Sequence, residues 1–250
     1  MFGRKHLEFT DDWRDLLQRQ WSHWRLLDAD EQAIVEEVAI GLMTQMRWEG
    51  SQGFVLDDEM RVLIAAQAGL LTIGLDDPDP YWRVGPIIVY PHGVVKTGER
   101  GGPVDGVATD DPLHILGEAH YRGPMILAWD TAKHEARHPS IGQNVVYHEF
   151  AHQLDMRDGI IDGTPPLPDD QAIQRWIDVC TPRFEAVLEG TDDGLLDPYA
   201  GEDAAEFFAV ATEAFFTRPR AMRERDPELY ETLDGYYRQD PAAREERALS

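Results

Sequence analysis

A single cysteine, Cys180, leaves no partner for an internal disulfide, and such a chain suits a reducing compartment. Long apolar runs are missing as well. The nearest, Val62 to Leu75, is interrupted by Gln67, Gly69 and Thr72 and falls short of the ~20 residues that cross a bilayer. The opening Met1-Phe2-Gly3-Arg4-Lys5-His6 lacks the apolar stretch of a secretory signal. These absences predict a cytoplasmic protein with no membrane partner. Positive charge is scarce: 23 Lys plus Arg stand against 47 Asp plus Glu, a formal charge of −24. A field of that sign repels phosphate backbones, which excludes nucleic acid as a partner and otherwise serves solubility.

Core-forming material is plentiful. Hydrophobic residues make up 42% of the 250, with 7 Trp, 8 Tyr and 9 Phe, enough for a folded core. Thr10-Asp11-Asp12 caps a helix carrying Trp13, Leu16, Leu17 and Trp21. Asp28 or Asp30 caps a second, with Ile34, Val35, Val38, Ala39 and Leu42 on one side. Gly50 to Gly53 breaks the pattern, and Asp57-Asp58-Glu59 opens a third helix ending near Gly74. Pro86-Ile87-Ile88-Val89-Tyr90-Pro91 reads as a strand at or near a sheet edge. Residues 96–112 read as a loop. The segment His120 to Trp129 holds a second strand, paired with the first in a hairpin.

Helix then returns in four pieces: Gly142 to about Met156, Asp169 to Leu188 with a kink or break at Pro182, Ala204 to Phe216, and a short one ending near Arg238. The expectation is an α+β fold, mostly helical with a small sheet. Residues 1–80 form an N-terminal helical region and 81–250 a catalytic region, joined in one compact unit.

The pattern H-E-x-x-H occurs twice. Histidines four apart on a helix share a face and can grip one ion, provided helix continues on both sides. His134-Glu135-Ala136-Arg137-His138 is followed at once by Pro139, which disfavours helix at His138, and its neighbours Lys133, Arg137 and Ser140 supply no apolar face. That copy reads as a solvated helix end or loop. The second copy, His148-Glu149-Phe150-Ala151-His152, is anchored by Val145, Val146, Phe150 and Leu154 and contains no proline. It is the candidate metal motif. His6, His23, His92, His114 and His120 have no ligand spacing and read as ordinary.

A catalytic zinc takes three protein ligands and keeps a fourth position for water. The run Asp203 to Phe216 places Glu206 and Glu213 on one stripe among phenylalanines, where a carboxylate is costly unless paired or metal-bound. Spacing alone leaves these two equivalent as third ligand. Glu202 and Asp203 fit a capping role. Asp155 either orients a ligand imidazole or anchors the loop that follows.

The runs Asn144 to Met156, Asp162 to Leu167, Pro198-Tyr199-Ala200 and Ala205 to Val210 resemble the Mlc titration factor A family of zinc peptidases. The pieces Asp58 to Arg61, Ala65 to Ala68 and Gly123 to Asp130 fit it too, so the resemblance extends from about Asp28 to Pro241. It implies a zincin-like fold and a gluzincin site similar to the catalytic domain of anthrax lethal factor. In that pattern a tyrosine precedes the third-ligand glutamate by seven residues. Tyr199 and Glu206 match it, which selects Glu206 over Glu213 and leaves Glu213 an orienting or structural residue.

The implied centre is one Zn2+ on His148, His152 and Glu206, with Glu149 as general base and Tyr199 as oxyanion donor. Peptides are the implied substrates, aminopeptidase action the implied activity, and the edge of the strand ending at Trp129 offers a place for an extended chain. The resemblance also implies a second function, binding of a sugar-uptake repressor of the Mlc type with zinc mainly structural.

Overall fold

The computed structural model describes residues 7–92 and 123–249. The loop expected at 96–112, His6, His114 and His120 lie outside them. Three helices come first: α1 (Asp11–Gln20), α2 (Ala29–Gln45) and α3 (Asp58–Leu70). Each begins where a short side chain satisfies free N–H groups. Thr10 accepts from Trp13 N, Asp28 from Asp30 N and Glu31 N, and Asp57 from Met60 N. Asp28 and Glu31 complete a reciprocal capping box. Val62 to Leu70 is buried without interruption, so α3 is enclosed on every side, whereas α2 buries Val35, Ala39 and Leu42 and leaves Ile34 exposed.

The sheet differs from expectation. Three strands, β1 (Trp48–Gly50), β2 (Ile87–Tyr90) and β3 (Met125–Ala128), pair in parallel in the order β1-β2-β3. Ile87 stands opposite both Trp48 and Met125. The strand between prolines is therefore central rather than marginal, and its pairing with β3 is a parallel ladder rather than a hairpin. Pro86 and Pro91 flank the strand and contribute only carbonyls, accepting from Met125 N at 2.9 Å and from Asp130 N at 3.4 Å, so no ladder donor is missing. At three residues, β1 is too short for its alternation to show in the sequence.

Next come α4 (Trp129–Arg137), α5 (Val145–Asp155) and α6 (Asp170–Leu188), the last running unbroken through Pro182 where a kink or break was expected. α7 (Ala204–Thr217) is buried along nearly its whole length. The C-terminal part holds three helices instead of one: α8 (Pro219–Arg225), α9 (Pro227–Tyr237) and α10 (Pro241–Leu249). A proline stands at the first position of each, where its missing N–H costs nothing. Arg238 closes α9 in the left-handed region at φ 49°.

Residues from both ends of the chain share one apolar cluster. Arg244 of α10 pairs with Glu31 of the α2 capping box. A buried polar chain also crosses it. His23 Nε2 lies 2.8 Å from the Phe216 carbonyl and so carries the proton, which leaves Nδ1 to accept the Tyr147 hydroxyl at 3.2 Å. Tyr147 in turn accepts from Trp21 Nε1 at 3.1 Å. Burial lowers the His23 pKa to about 4, so this ring is neutral and every donor in the chain finds an acceptor.

No helix among the described residues is long and apolar enough to cross a membrane.

Candidate metal centre

α5 starts at Asn144, whose side chain accepts from Val146 N and Tyr147 N at 3.0 Å each. Two glutamates from other helices fasten the same end. Glu213 Oε2 of α7 accepts from Asn144 N at 2.5 Å, and Glu135 Oε2 of α4 accepts from Val145 N at 2.6 Å. Asn144 Nδ2 donates to Gln67 of α3 at 2.8 Å. The first turn of α5 is thus tied to three helices, and His148 sits one residue beyond it. At the other end Asp155 Oδ2 accepts from Gly163 N at 2.9 Å. Asp155 is therefore seen anchoring the loop, the second of its two expected roles.

His148 and His152 turn their Nε2 atoms toward each other at 3.2 Å, with the rings nearly perpendicular. Glu206 arrives from the first turn of α7, where Asp203 caps the helix by accepting from Glu206 N at 2.9 Å. Its Oε2 stands 3.0 Å from His148 Nε2 and its Oε1 3.5 Å from His152 Nε2. The three side chains form a group able to hold one metal ion, and no other such group of three occurs among the described residues. A tetrahedral ion with N and O ligands at ~2.0–2.1 Å needs ligand atoms roughly 3.3–3.4 Å apart. Separations of 3.0, 3.2 and 3.5 Å fit that requirement. Glu206 Oε2 is also buried outside hydrogen-bonding geometry, as a ligand atom facing a shared centre would be.

The second nitrogen of His148 is spoken for. Nδ1 lies 2.8 Å from Glu213 Oε1, which holds the proton there and leaves the Nε2 lone pair for a metal. Glu206 and Glu213 are two helical turns apart on α7 and flank one imidazole from opposite sides. Burial disfavours the charged form of His148, but Glu206 and Glu213 outweigh it and raise its pKa well above the ordinary value. For Glu206 burial acts upward, and the contacts with His148 and His152 overcome it, holding the carboxyl well below the usual range.

Glu149 is 8% exposed, and its Oε1 has no hydrogen-bonding partner. Burial pushes its pKa up against the opposing charges of His148 and His152. The side chains of His152 and Glu206 are more open, at 15% and 14% exposed. Tyr199 belongs to a short 3-10 turn, Pro198–Gly201, and its ring centre lies 6.1 Å from that of His148. Burial, then the nearby Glu206 carboxylate, raise its pKa well above the ordinary tyrosine value, so the hydroxyl stays protonated as a donor.

The structure brings His148, Glu149, His152, Tyr199 and Glu206 together. The other H-E-x-x-H is the solvated helix end expected, with α4 ending at Arg137 and His138 its non-helical cap, but contrary to expectation the helix has an inward face of Ala132, Glu135 and Ala136. Its polarity is inverted: the glutamate is buried, and His134 and His138 are exposed. The sequence reading missed the anchoring roles of Glu135 and Gln67. Gln67 lies 77 residues from its partner Asn144, and Glu135, though only ten residues before Val145, lies beyond the turn at Pro139–Ile141, so neither contact is signalled by sequence spacing.

The glucose-regulated metallo-peptidase M90 family matches residues 3–238. An uncharacterized protein of Synechocystis is 35% identical over 248 residues, covering 92% of this chain and 90% of its own. Mlc titration factor A of Serratia proteamaculans is 31% identical over 228 residues, covering 88% and 85%. The protein of that name from Salmonella typhi is 32% identical over 226 residues, covering 87% and 83%.

Proposed function

The chain belongs to the glucose-regulated metallo-peptidase M90 family, and from that premise we propose a zinc-dependent peptidase of gluzincin type, with His148, His152 and Glu206 as ligands and Glu149 as general base. The observation that carries this reading is the convergence of two Nε2 atoms and a carboxylate beside a buried glutamate with an unpartnered oxygen. Zinc in that position, when bound, supplies a Lewis acid and brings the pKa of a water to ~7.

The protein side of the reaction follows from placement. Glu149 accepts the proton of the attacking water and passes it to the leaving amine. Its burial favours this work, because a carboxylate with a raised pKa holds the transferred proton more firmly. Tyr199, kept protonated, donates to the oxygen that gains charge on the scissile carbonyl. Glu213 keeps the His148 ring in the tautomer and orientation that metal binding needs. Peptides are the proposed substrates, with aminopeptidase action as the specific activity and the cytoplasm as the location.

A second reading rests on the names of the relatives, which refer to titration of Mlc. In it the chain binds a repressor of that kind and zinc mainly supports shape. Glu149 weighs against this as the sole function, since an ion that only braces the fold has no use for an unpartnered carboxylate buried beside it.

The test is peptide hydrolysis by zinc-loaded wild type and Glu149→Gln. The expected result is full zinc content in both and turnover only in wild type; undiminished turnover in Glu149→Gln overturns the mechanism.

A further inference from the structure

The exposed H-E-x-x-H is not absorbed by this chemistry. We propose that His134 and His138 form a second, solvent-facing metal site for an imidazole-preferring divalent transition ion, and that its occupancy clamps the last turn of α4. Three observations carry it. The two rings lie against each other on the surface, with centres 4.4 Å apart. His138 Nδ1 lies 2.8 Å from the His134 carbonyl, an acceptor, so Nδ1 bears the proton and the Nε2 lone pair is free for a metal. His134 is exposed, so its ring turns to meet the same ion without disturbing packing.

The donor set decides the class of ion. Two neutral imidazoles with solvent completing the shell suit Cu(II), Ni(II) or Zn(II) and give no advantage to Mg2+ or Ca2+, which take oxygen ligands. The neighbouring cationic heads are engaged elsewhere, Lys133 with Glu59 at 3.0 Å and Arg137 with Gln20. With two protein ligands this site is weaker than the buried one. Glu135 points inward, so no protein base faces the ion and the site binds without hydrolysing.

The clamp follows from the same inversion. A metal joining His134 to His138, the non-helical cap of α4 at φ −125° and ψ 62°, ties the last helical turn to the residue that closes it. The buried face of that turn carries Glu135, which accepts the Val145 N–H at the start of the helix bearing His148. Occupancy outside therefore steadies a tether of the metal helix inside.

The experiment is Cu(II) titration of the full chain, followed by calorimetry and electron paramagnetic resonance, for wild type, His134→Asn, His138→Asn and His92→Asn. Wild type is expected to show a tight and a weaker class of site, the weaker with two-nitrogen coupling. Either of the first two variants should weaken that class by about tenfold or more, the scale on which loss of a metal-supporting side chain is felt. The tight class and the peptidase activity should stay unchanged. Amide exchange at residues 134–138 should slow on loading in wild type alone. A single class in wild type, a weaker class that survives His134→Asn with His138→Asn, or one lost in His92→Asn overturns the proposal.

Discussion

At the scale of residues, the centre depends on one imidazole held between two carboxylates of the same helix. Glu206 meets the Nε2 side of His148 and Glu213 the Nδ1 side. Glu213→Ala removes the acceptor for Nδ1 and also strands the buried N–H of Asn144. Zinc affinity should fall about 10–100-fold, read by chelator competition, while saturating zinc still restores binding. Glu135 yields a pH prediction. Burial raises its pKa from 4.5 to about 7. The folded state thus holds a proton that the unfolded state releases at lower pH, so Glu135 contributes a downward slope to stability as pH rises from about 4.5 to 7, against the upward slope that His23, lowered to about 4, contributes as pH rises from about 4 to 6.5. With metal chelated, the Glu135 component should be on the order of 3 kcal/mol, read by denaturant unfolding as the change with pH in the difference between wild type and Glu135→Gln. Glu135→Gln keeps an acceptor for Val145 N and should flatten that slope; an unchanged slope removes Glu135 as its source.

At the scale of elements, α5 is pinned at both ends, and the two pins differ in how far the sequence discloses them. The apolar anchors Val145, Val146, Phe150 and Leu154 announce the helix and the spacing of His148 and His152 a shared face, so the helix and its two imidazoles were legible, whereas its start was expected at Gly142 and its cap is Asn144. Glu213 was visible as a costly carboxylate among phenylalanines, but the choice between ligand and orienting residue rested on resemblance, since residues seven apart point the same way. The parallel sheet was not legible, because pairing partners lie far apart in the chain and short strands do not announce their neighbours. Pro139 was legible: α4 ends at Arg137, and His138 before the proline lies outside helical geometry at φ −125° and ψ 62°. Gly163 is the other pin. It has φ 75°, and a Cβ there would come within 2.0 Å of the Ala204 carbonyl, two residues before Glu206. Trp176 Nε1 also donates to its carbonyl at 3.0 Å. Gly163→Ala should destabilise by more than about 2 kcal/mol and weaken zinc binding through the displaced start of α7, in thermal unfolding and metal titration together.

At the scale of the whole molecule, the N-terminal helices reach the metal helix through the chain from Trp21 to Tyr147, His23 and the Phe216 carbonyl. Tyr147 precedes His148, so this chain ties the far end of the sequence to the site. Tyr147→Phe leaves the Trp21 N–H and the His23 Nδ1 buried without partners. The cost should be about 1–3 kcal/mol of global stability, measured by urea unfolding. The central claim is that His148, His152 and Glu206 hold the catalytic ion. Its most direct test is the zinc-to-protein ratio, after desalting, of wild type, Glu206→Gln and Glu213→Gln prepared in saturating zinc. Wild type and Glu213→Gln should each retain a single zinc per chain and Glu206→Gln almost none; zinc retained in Glu206→Gln but lost from Glu213→Gln would contradict the assignment.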